Sequence, residues 1–177
     1  MRCSYCSQKG HTKRNCPHLP ADFERFKKAS QAIRQDYLAL LAEKKLGVGA
    51  HFRVSNYGNV LVKITDIQPI GLFHTWGGRR TMRSFLPLEK MAALVVEQCP
   101  DGIEGESRPW IRRFSVWEII DHHTDLVSSE EEFWDEDTRK AWLACSSFSK
   151  PNDMLATLKK KERNSVFGAA THPYLQK

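Results

Sequence analysis

The sequence predicts an α+β protein. A short N-terminal module precedes an amphipathic helix and a small, mostly antiparallel β domain with C-terminal helices. Three observations lead to this fold class. Three of the five cysteines stand within the first 16 residues, apolar residues then recur at helical spacing, and short apolar runs separated by turns follow. We therefore divide the 177 residues into the N-terminal module at 1–18, the basic amphipathic helix at 19–47, the α+β domain at 48–163 and a loosely ordered tail at 164–177.

The predicted helix runs from Asp22 to Leu46, after a break marked by Pro17 and Pro20. Asp22 can cap its start, and Gly47 stands where a helix C-terminus favours glycine. Basic residues occupy mostly the other faces. The apolar stripe consists of Phe23, Phe26, Ile33, Tyr37, Leu40 and Leu41.

Beyond Gly47 the apolar spacing changes to that of strands. We predict strands at 51–54, 60–64, 69–76 and 81–85, followed by a short helix at 88–97. Such a run of short strands is compatible with an SH3-like barrel and equally with a plain antiparallel sheet.

The second half of the chain predicts one more strand and two helices. Residues 110–120 hold a dense apolar set, expected as a strand that returns to the same sheet. The spacing Ser129-x-x-Glu132 matches a capping box and predicts a helix as far as about Cys145. A further short helix is expected from Pro151 to Lys161.

The charge is uneven along the chain, which carries a net charge of +6. Residues 1–50 hold 10 Lys and Arg against 4 Asp and Glu, whereas residues 101–150 hold 6 against 12. A basic first half predicts a polyanion partner for one face of the protein. The plain alternative is uneven surface charge without a partner.

Five cysteines and no apolar stretch of membrane-spanning length point to a reduced compartment. An odd cysteine count argues against a disulfide framework, and the first residues show no apolar signal region. We expect an intracellular protein, in the cytoplasm or the nucleus, that does not engage a membrane.

The spacing Cys3-x2-Cys6-x4-His11-x4-Cys16 predicts a metal site. Three thiolates and one imidazole suit the tetrahedral geometry of Zn²⁺, and Gly10 permits the backbone to double back before the histidine. A segment this short buries too little apolar surface to fold alone, so metal binding would supply its folding free energy, on the order of 10 kcal/mol. All four positions are filled by protein, which predicts a structural zinc without an open catalytic position.

This segment resembles the CCHC zinc knuckle of retroviral nucleocapsids and cellular RNA-binding proteins, in the four ligands, Tyr5, Gly10 and the run from Thr12 to Pro17. The resemblance implies a non-enzymatic protein that binds single-stranded RNA or DNA. It makes Tyr5 the platform on which an unpaired base stacks, with Thr12 and Lys13 on the opposing wall. Ser4 replaces the aromatic residue that many retroviral knuckles place after the first cysteine. The residues expected to contact phosphate are Arg2, Lys9, Lys13 and Arg14.

Two alternatives remain at the level of sequence. The first is a protein-interaction adapter, in which the zinc is purely structural and the acidic segment 101–137 recruits a partner. The second is a metal-dependent phosphoesterase, because Asp121-His122-His123 resembles the signature tripeptide of the DHH phosphoesterases, which bind manganese. That family needs further aspartate motifs on several earlier strands, and the chain before residue 101 offers only Asp22, Asp36 and Asp66. Tyr57, Phe73 and Trp76, followed by Arg79 and Arg80, predict either core positions or a second nucleic-acid surface.

Overall fold

A computed structural model confirms the α+β class, with helices and antiparallel strands in one chain. It describes residues 1–55, 58–70, 73–76, 79–82, 87–99, 111–121, 125–128, 136–144, 163, 167 and 173–176. The helices are α1 (His18–Lys44), α2 (Val116–Asp121), α3 (Glu136–Ala144) and α4 (Pro173–Gln176). The strands are β1 (His51–Val54), β2 (Val60–Ile67), β3 (Phe73–Trp76), β4 (Arg79–Met82), β5 (Ala92–Gln98), β6 (Ile111–Ser115) and β7 (Asp125–Ser128).

Helix α1 begins at His18, four residues before the predicted start at Asp22. Pro20 lies in its first turn and does not break it, because a first-turn amide has no carbonyl partner within the helix to lose. Asp22 is therefore not the cap of this helix. The predicted apolar stripe is confirmed by its buried members Phe26, Ile33, Tyr37 and Leu41.

The C-terminus of α1 shows how a helix can end without glycine. The prediction that Gly47 caps it was wrong, because Lys45 takes the left-handed conformation with a φ of 56°. The amide of Lys45 donates to the carbonyl of Ala42 at 3.2 Å, and that of Leu46 donates to the carbonyl of Leu41 at 2.9 Å. This pair of bonds is a Schellman motif, which satisfies the last carbonyls of the helix.

Five strands form one antiparallel sheet in the order β6-β5-β2-β1-β7, and β3 and β4 form a separate hairpin. In the five-stranded sheet, His51 of β1 pairs with Lys63 of β2, and Val62 of β2 pairs with Gln98 of β5. Within the described residues, the edge strands β6 and β7 do not pair with each other. The sheet is open there, and the SH3-like barrel is not confirmed.

The buried face of β2 is kept in phase by a bulge. Val62 and Ile64 alternate into the core as a strand requires, but the next core residue, Ile67, follows after three positions instead of two. The register against β5 shifts between Ile64 and Asp66, so the extra residue returns Ile67 to the buried face.

Residues 88–97 are not the predicted helix. A single 3₁₀ turn at Leu88–Lys90 leads into strand β5, whose Leu94 and Val96 are buried in the sheet. The β-branched Val95 and Val96 favour a strand, and tertiary pairing on both sides of β5 decides for it.

The strand predicted at 110–120 is half right. Strand β6 ends at Ser115, and the remaining residues form helix α2. The Ser115 Oγ accepts from the amide of Glu118 at 3.2 Å, while the Glu118 carboxylate accepts from the amide of Ser115 at 2.7 Å. This reciprocal pair is a capping box, which starts the helix.

Helix α3 lies within the helix predicted from Ser129 to Cys145, although 129–135 and 145 are outside the described residues. It anchors on Trp142, which is buried and whose indole N–H donates to the carbonyl of Ile67 at 2.9 Å. The helix predicted from Pro151 to Lys161 also lies outside the described residues. In the tail, where we predicted little order, α4 buries Leu175.

The chain divides into two compact units. Unit 1 comprises 1–34, 71–85 and 144–177, and unit 2 comprises 35–70 and 86–143. Unit 1 holds the predicted metal module, and unit 2 holds the five-stranded sheet. Among the described helices, none combines the length and apolar character that crossing a bilayer requires.

Candidate metal centre

The four predicted ligands lie together. The Sγ atoms of Cys3, Cys6 and Cys16 and the imidazole of His11 all lie within 4.8 Å of one another. Cys6 Sγ and His11 Nε2 lie 3.1 Å apart. A tetrahedral zinc with thiolates at about 2.3 Å holds the sulfurs about 3.8 Å apart, so small side-chain rotations would place all four atoms on one ion. The cluster could therefore hold one metal ion.

The first two ligands are positioned by a tight turn. The Cys3 amide donates to the carbonyl of Gln8 at 2.9 Å, and the Ser7 amide donates to the carbonyl of Cys3 at 2.8 Å. Arg2 and Lys9 close this turn as an isolated antiparallel bridge. The backbone thus returns on itself within eight residues, which brings the two thiols to one side.

The other two ligands are positioned by a glycine and a 3₁₀ turn. Gly10 has a φ of 95°, which confirms the backbone reversal predicted before His11. Lys13–Asn15 form the turn, and the Cys16 amide donates to the carbonyl of Lys13 at 3.2 Å. Helix α1 follows two residues after Cys16, so the last ligand is fixed to a long rigid element.

The thiols of Cys3 and Cys16 differ in pKa. Burial by itself raises the pKa of Cys3, but hydrogen bonds from the backbone amides of Cys6 and Tyr5 stabilise its thiolate, and the resulting pKa is about 7. Burial raises the pKa of Cys16 to about 11. Backbone amides that stabilise a thiolate are the surroundings a metal-bound sulfur requires. The four donor atoms and their surroundings are therefore compatible with a metal ion bound by three thiolates and one imidazole.

Tyr5 is not the exposed stacking platform that we expected. Its side chain is completely buried, and its hydroxyl donates to Asp22 Oδ2 at 2.8 Å. The guanidinium of Arg163 lies 4.9 Å from the ring centroid and the ammonium of Lys13 lies 5.8 Å from it. Because the side chain has no exposed surface, the ring presents no face to a base.

The other predicted nucleic-acid contacts are mostly at the surface. Arg2, Lys9, Thr12 and Arg14 are exposed around the metal module. Lys13 is half-buried, and its burial lowers the pKa of its ammonium. Three cations therefore stand in solvent beside the cluster.

The two units differ sharply in charge. Unit 1 holds 17 Lys and Arg against 4 Asp and Glu, a net charge of +13. Unit 2 holds 10 against 17, a net charge of −7. The sequence indicates a basic first half, but the fold concentrates far more positive charge, because it gathers segments from both ends and the middle of the chain into one unit.

The ion pair between Asp22 and Arg163 was not predicted from the sequence. Arg163 Nε and Nη2 contact Asp22 Oδ2 at 2.9 and 2.8 Å. An aspartate near the start of a helix is typical of an N-cap, so the sequence predicted a capping role for Asp22. No local pattern points to Arg163, because its partner lies 141 positions away.

The remaining candidates gain no support. Asp121 ends helix α2 and is exposed, whereas His122 and His123 lie outside the described residues. So does Tyr57. The strand positions of Phe73 and Trp76 are described, but not their side chains. Most of the acidic segment 101–137 also lies outside the described residues.

No family model, curated protein or solved structure matches the chain. Its function is therefore inferred from its own residues.

Proposed function

We propose that this protein binds single-stranded RNA or DNA in a zinc-dependent manner and is not an enzyme. One observation carries the proposal: the cluster of Cys3, Cys6, His11 and Cys16 belongs to the unit with a net charge of +13. A positive field of this size attracts polyanions, and phosphate contacts supply most of the affinity in non-specific nucleic-acid binding.

Zinc is the metal that we propose for the cluster. Thiolates exclude the hard cations Mg²⁺ and Ca²⁺, and a mixed thiolate and imidazole set suits Zn²⁺. With four protein ligands the ion would be structural, so its chemistry is to cross-link residues 3–16 and hold them folded. The exposed cations Arg2, Lys9 and Arg14 would then have fixed positions.

The mode of contact that we propose is electrostatic. Tyr5 is buried, so it does not supply the stacking that a zinc knuckle would use. Arg2, Lys9 and Arg14 remain to contact phosphates, which carry no base identity. The preference for single strands rests on the resemblance to CCHC knuckles, and weak sequence discrimination is the expected consequence of the buried ring.

The test measures the fluorescence anisotropy of labelled single-stranded RNA and DNA of mixed sequence, and of a matched duplex, as zinc-loaded full-length protein is added. We expect binding to single strands that is lost on chelation by EDTA and restored by zinc. A Cys16→Ser variant should behave like the chelated protein. Binding that persists unchanged without metal would refute the zinc dependence, and no binding even at low salt would refute the nucleic-acid function.

A second candidate function is a protein adapter, because unit 2 carries a net charge of −7. An acidic unit would recruit a basic protein, while zinc merely stabilises the N-terminus. Capture of a basic partner by a protein that shows no nucleic-acid affinity would favour this alternative.

A further inference from the structure

A buried polar network links the metal module to residue 163. Asp22 Oδ2 accepts from the Tyr5 hydroxyl at 2.8 Å and from Arg163 Nε at 2.9 Å, and Arg163 Nη2 lies 2.8 Å from the same oxygen. The Asp22 side chain is only 7% exposed and that of Arg163 only 18%. All three residues belong to unit 1. A buried carboxylate oxygen with two hydrogen-bond donors and an ion-pair contact is well satisfied, and its burial becomes costly when a donor is removed.

This network acts directly on the ligand loops. Tyr5 lies between Cys3 and Cys6 in the chain, and its backbone amide lowers the pKa of the Cys3 thiol. Asp22 lies on α1, which begins just after Cys16. The Tyr5 hydroxyl bond therefore ties the loop of the first pair of ligands to the helix that begins two residues after the last one.

Arg163 holds that tie from outside the metal module. Its guanidinium lies over the Tyr5 ring, 4.9 Å from the ring centroid, while two of its three nitrogens, Nε and Nη2, contact Asp22. Without it, Asp22 would keep the Tyr5 hydroxyl and Arg25, whose nearest nitrogen lies 4.0 Å from Oδ1 and whose side chain is about half exposed. A residue 158 positions beyond Tyr5 therefore contacts both partners of the Tyr5–Asp22 hydrogen bond.

The positive charge of Arg163 also favours a bound zinc centre. A zinc ion with three thiolates and a neutral imidazole carries a net charge of −1. Arg163 and Lys13 both lie over the ring of Tyr5, in the middle of the first ligand loop. Removing Arg163 takes one positive charge away from the first ligand loop.

We propose that Arg163 is a positioning residue of the metal centre, acting through Asp22 and Tyr5 to hold the Cys3–Cys6 loop in its ligating geometry. This inference rests on the proposed zinc site. Groups that orient metal ligands without touching the metal contribute about 10-fold to 100-fold in metal affinity. A contribution of that size is expected of this network.

The experiment measures zinc affinity of full-length variants by competition with a chromophoric chelator. Arg163→Gln and Asp22→Asn should each weaken zinc binding by about 10-fold or more. Tyr5→Phe removes only the hydroxyl and should fall between them and the unsubstituted protein. Arg163→Lys should restore binding in part, because lysine keeps the charge but not the two-nitrogen fork. Two substitutions of exposed residues on α1 serve as matched controls. Lys28→Gln removes one positive charge, as Arg163→Gln does, and Glu24→Gln removes one negative charge, as Asp22→Asn does.

The absorption of the cobalt-substituted protein adds a spectroscopic readout, because the bands of a tetrahedral thiolate site report ligand geometry. Arg163→Gln and Asp22→Asn should alter these bands, and the two control variants should leave them unchanged. If Arg163 and Asp22 only contributed to the stability of the fold, the cobalt bands of the folded variants would be unchanged.

Coupling between sites is reciprocal, which gives a test that needs no variant. Hydrogen exchange of the peptide spanning 163–177 should be faster in the metal-free protein than in the zinc-loaded one. The proposal is overturned if exchange there is unaffected by zinc. It is likewise overturned if Arg163→Gln and Asp22→Asn retain zinc within about two-fold, well below the contribution of ligand-orienting groups. If the unsubstituted protein binds no zinc, the proposed function fails first and this inference with it.

Discussion

If the zinc-loaded protein binds nucleic acid as proposed, the number of exposed cations beside the metal module predicts how the affinity depends on salt. Arg2, Lys9 and Arg14 are exposed, whereas Lys13 is half-buried over the ring of Tyr5. Each phosphate neutralised on a single strand contributes about −0.7 to the slope of log K against log salt. Three contacts therefore predict a slope of about −2.1 or steeper, which amounts to about a 20-fold loss of affinity between 50 and 200 mM salt.

The Arg14→Gln variant tests which cations produce this slope. Losing one contact should flatten the slope by about 0.7 and reduce the loss over the same salt range by nearly three-fold. The matched control is Arg139→Gln, which removes an exposed arginine from α3 in the acidic unit. The assay is anisotropy of one labelled 12-nucleotide strand at five salt concentrations. A slope shallower than about −1, or equal slopes for the two variants, would refute the assignment of phosphate contacts to this module.

Three further predictions concern stability and are checked by urea unfolding. Trp142→Phe removes the indole N–H that donates to the carbonyl of Ile67 at 2.9 Å. Because that buried carbonyl loses its partner, the free energy of unfolding should fall by about 1–3 kcal/mol. An unchanged free energy of unfolding would mean that another donor replaces the indole. Ser115→Ala removes the capping box with Glu118 and should cost about 1 kcal/mol, whereas the exposed Arg113→Ala should cost less. Lys45→Gly relieves the left-handed strain at a φ of 56° and should stabilise by about 0.5–1 kcal/mol, and a decrease would contradict that account of the helix end.

The convergence of the four candidate ligands could be predicted because it is a local property. Cys3, Cys6, His11 and Cys16 lie within 14 residues, and short-range geometry brings such a spacing together. Gly10 was predictable for the same reason, since a reversal of the backbone requires a positive φ that glycine adopts freely. The buried stripe of α1 followed from helical periodicity alone.

Segments whose residues suit either a helix or a strand were predicted less well. Residues 88–97 carry apolar residues that suit a helix or a central strand, and pairing with β2 and β6 selects the strand. The helix at Val116–Asp121 had a signal in Ser115-x-x-Glu118, the same pattern that was recognised at Ser129. The dense apolar run around it favoured a strand and masked that signal.

By itself, the sequence determined the ligand set, the long helix, the α+β class and a surplus of positive charge, because each depends on residues close together in the chain or on composition. Only the tertiary structure decided that Tyr5 is buried and that Asp22 pairs with Arg163. It also decided that segments from both ends and the middle form a unit with a net charge of +13. These features depend on contacts between residues up to 158 positions apart, and local spacing contains no information about such contacts.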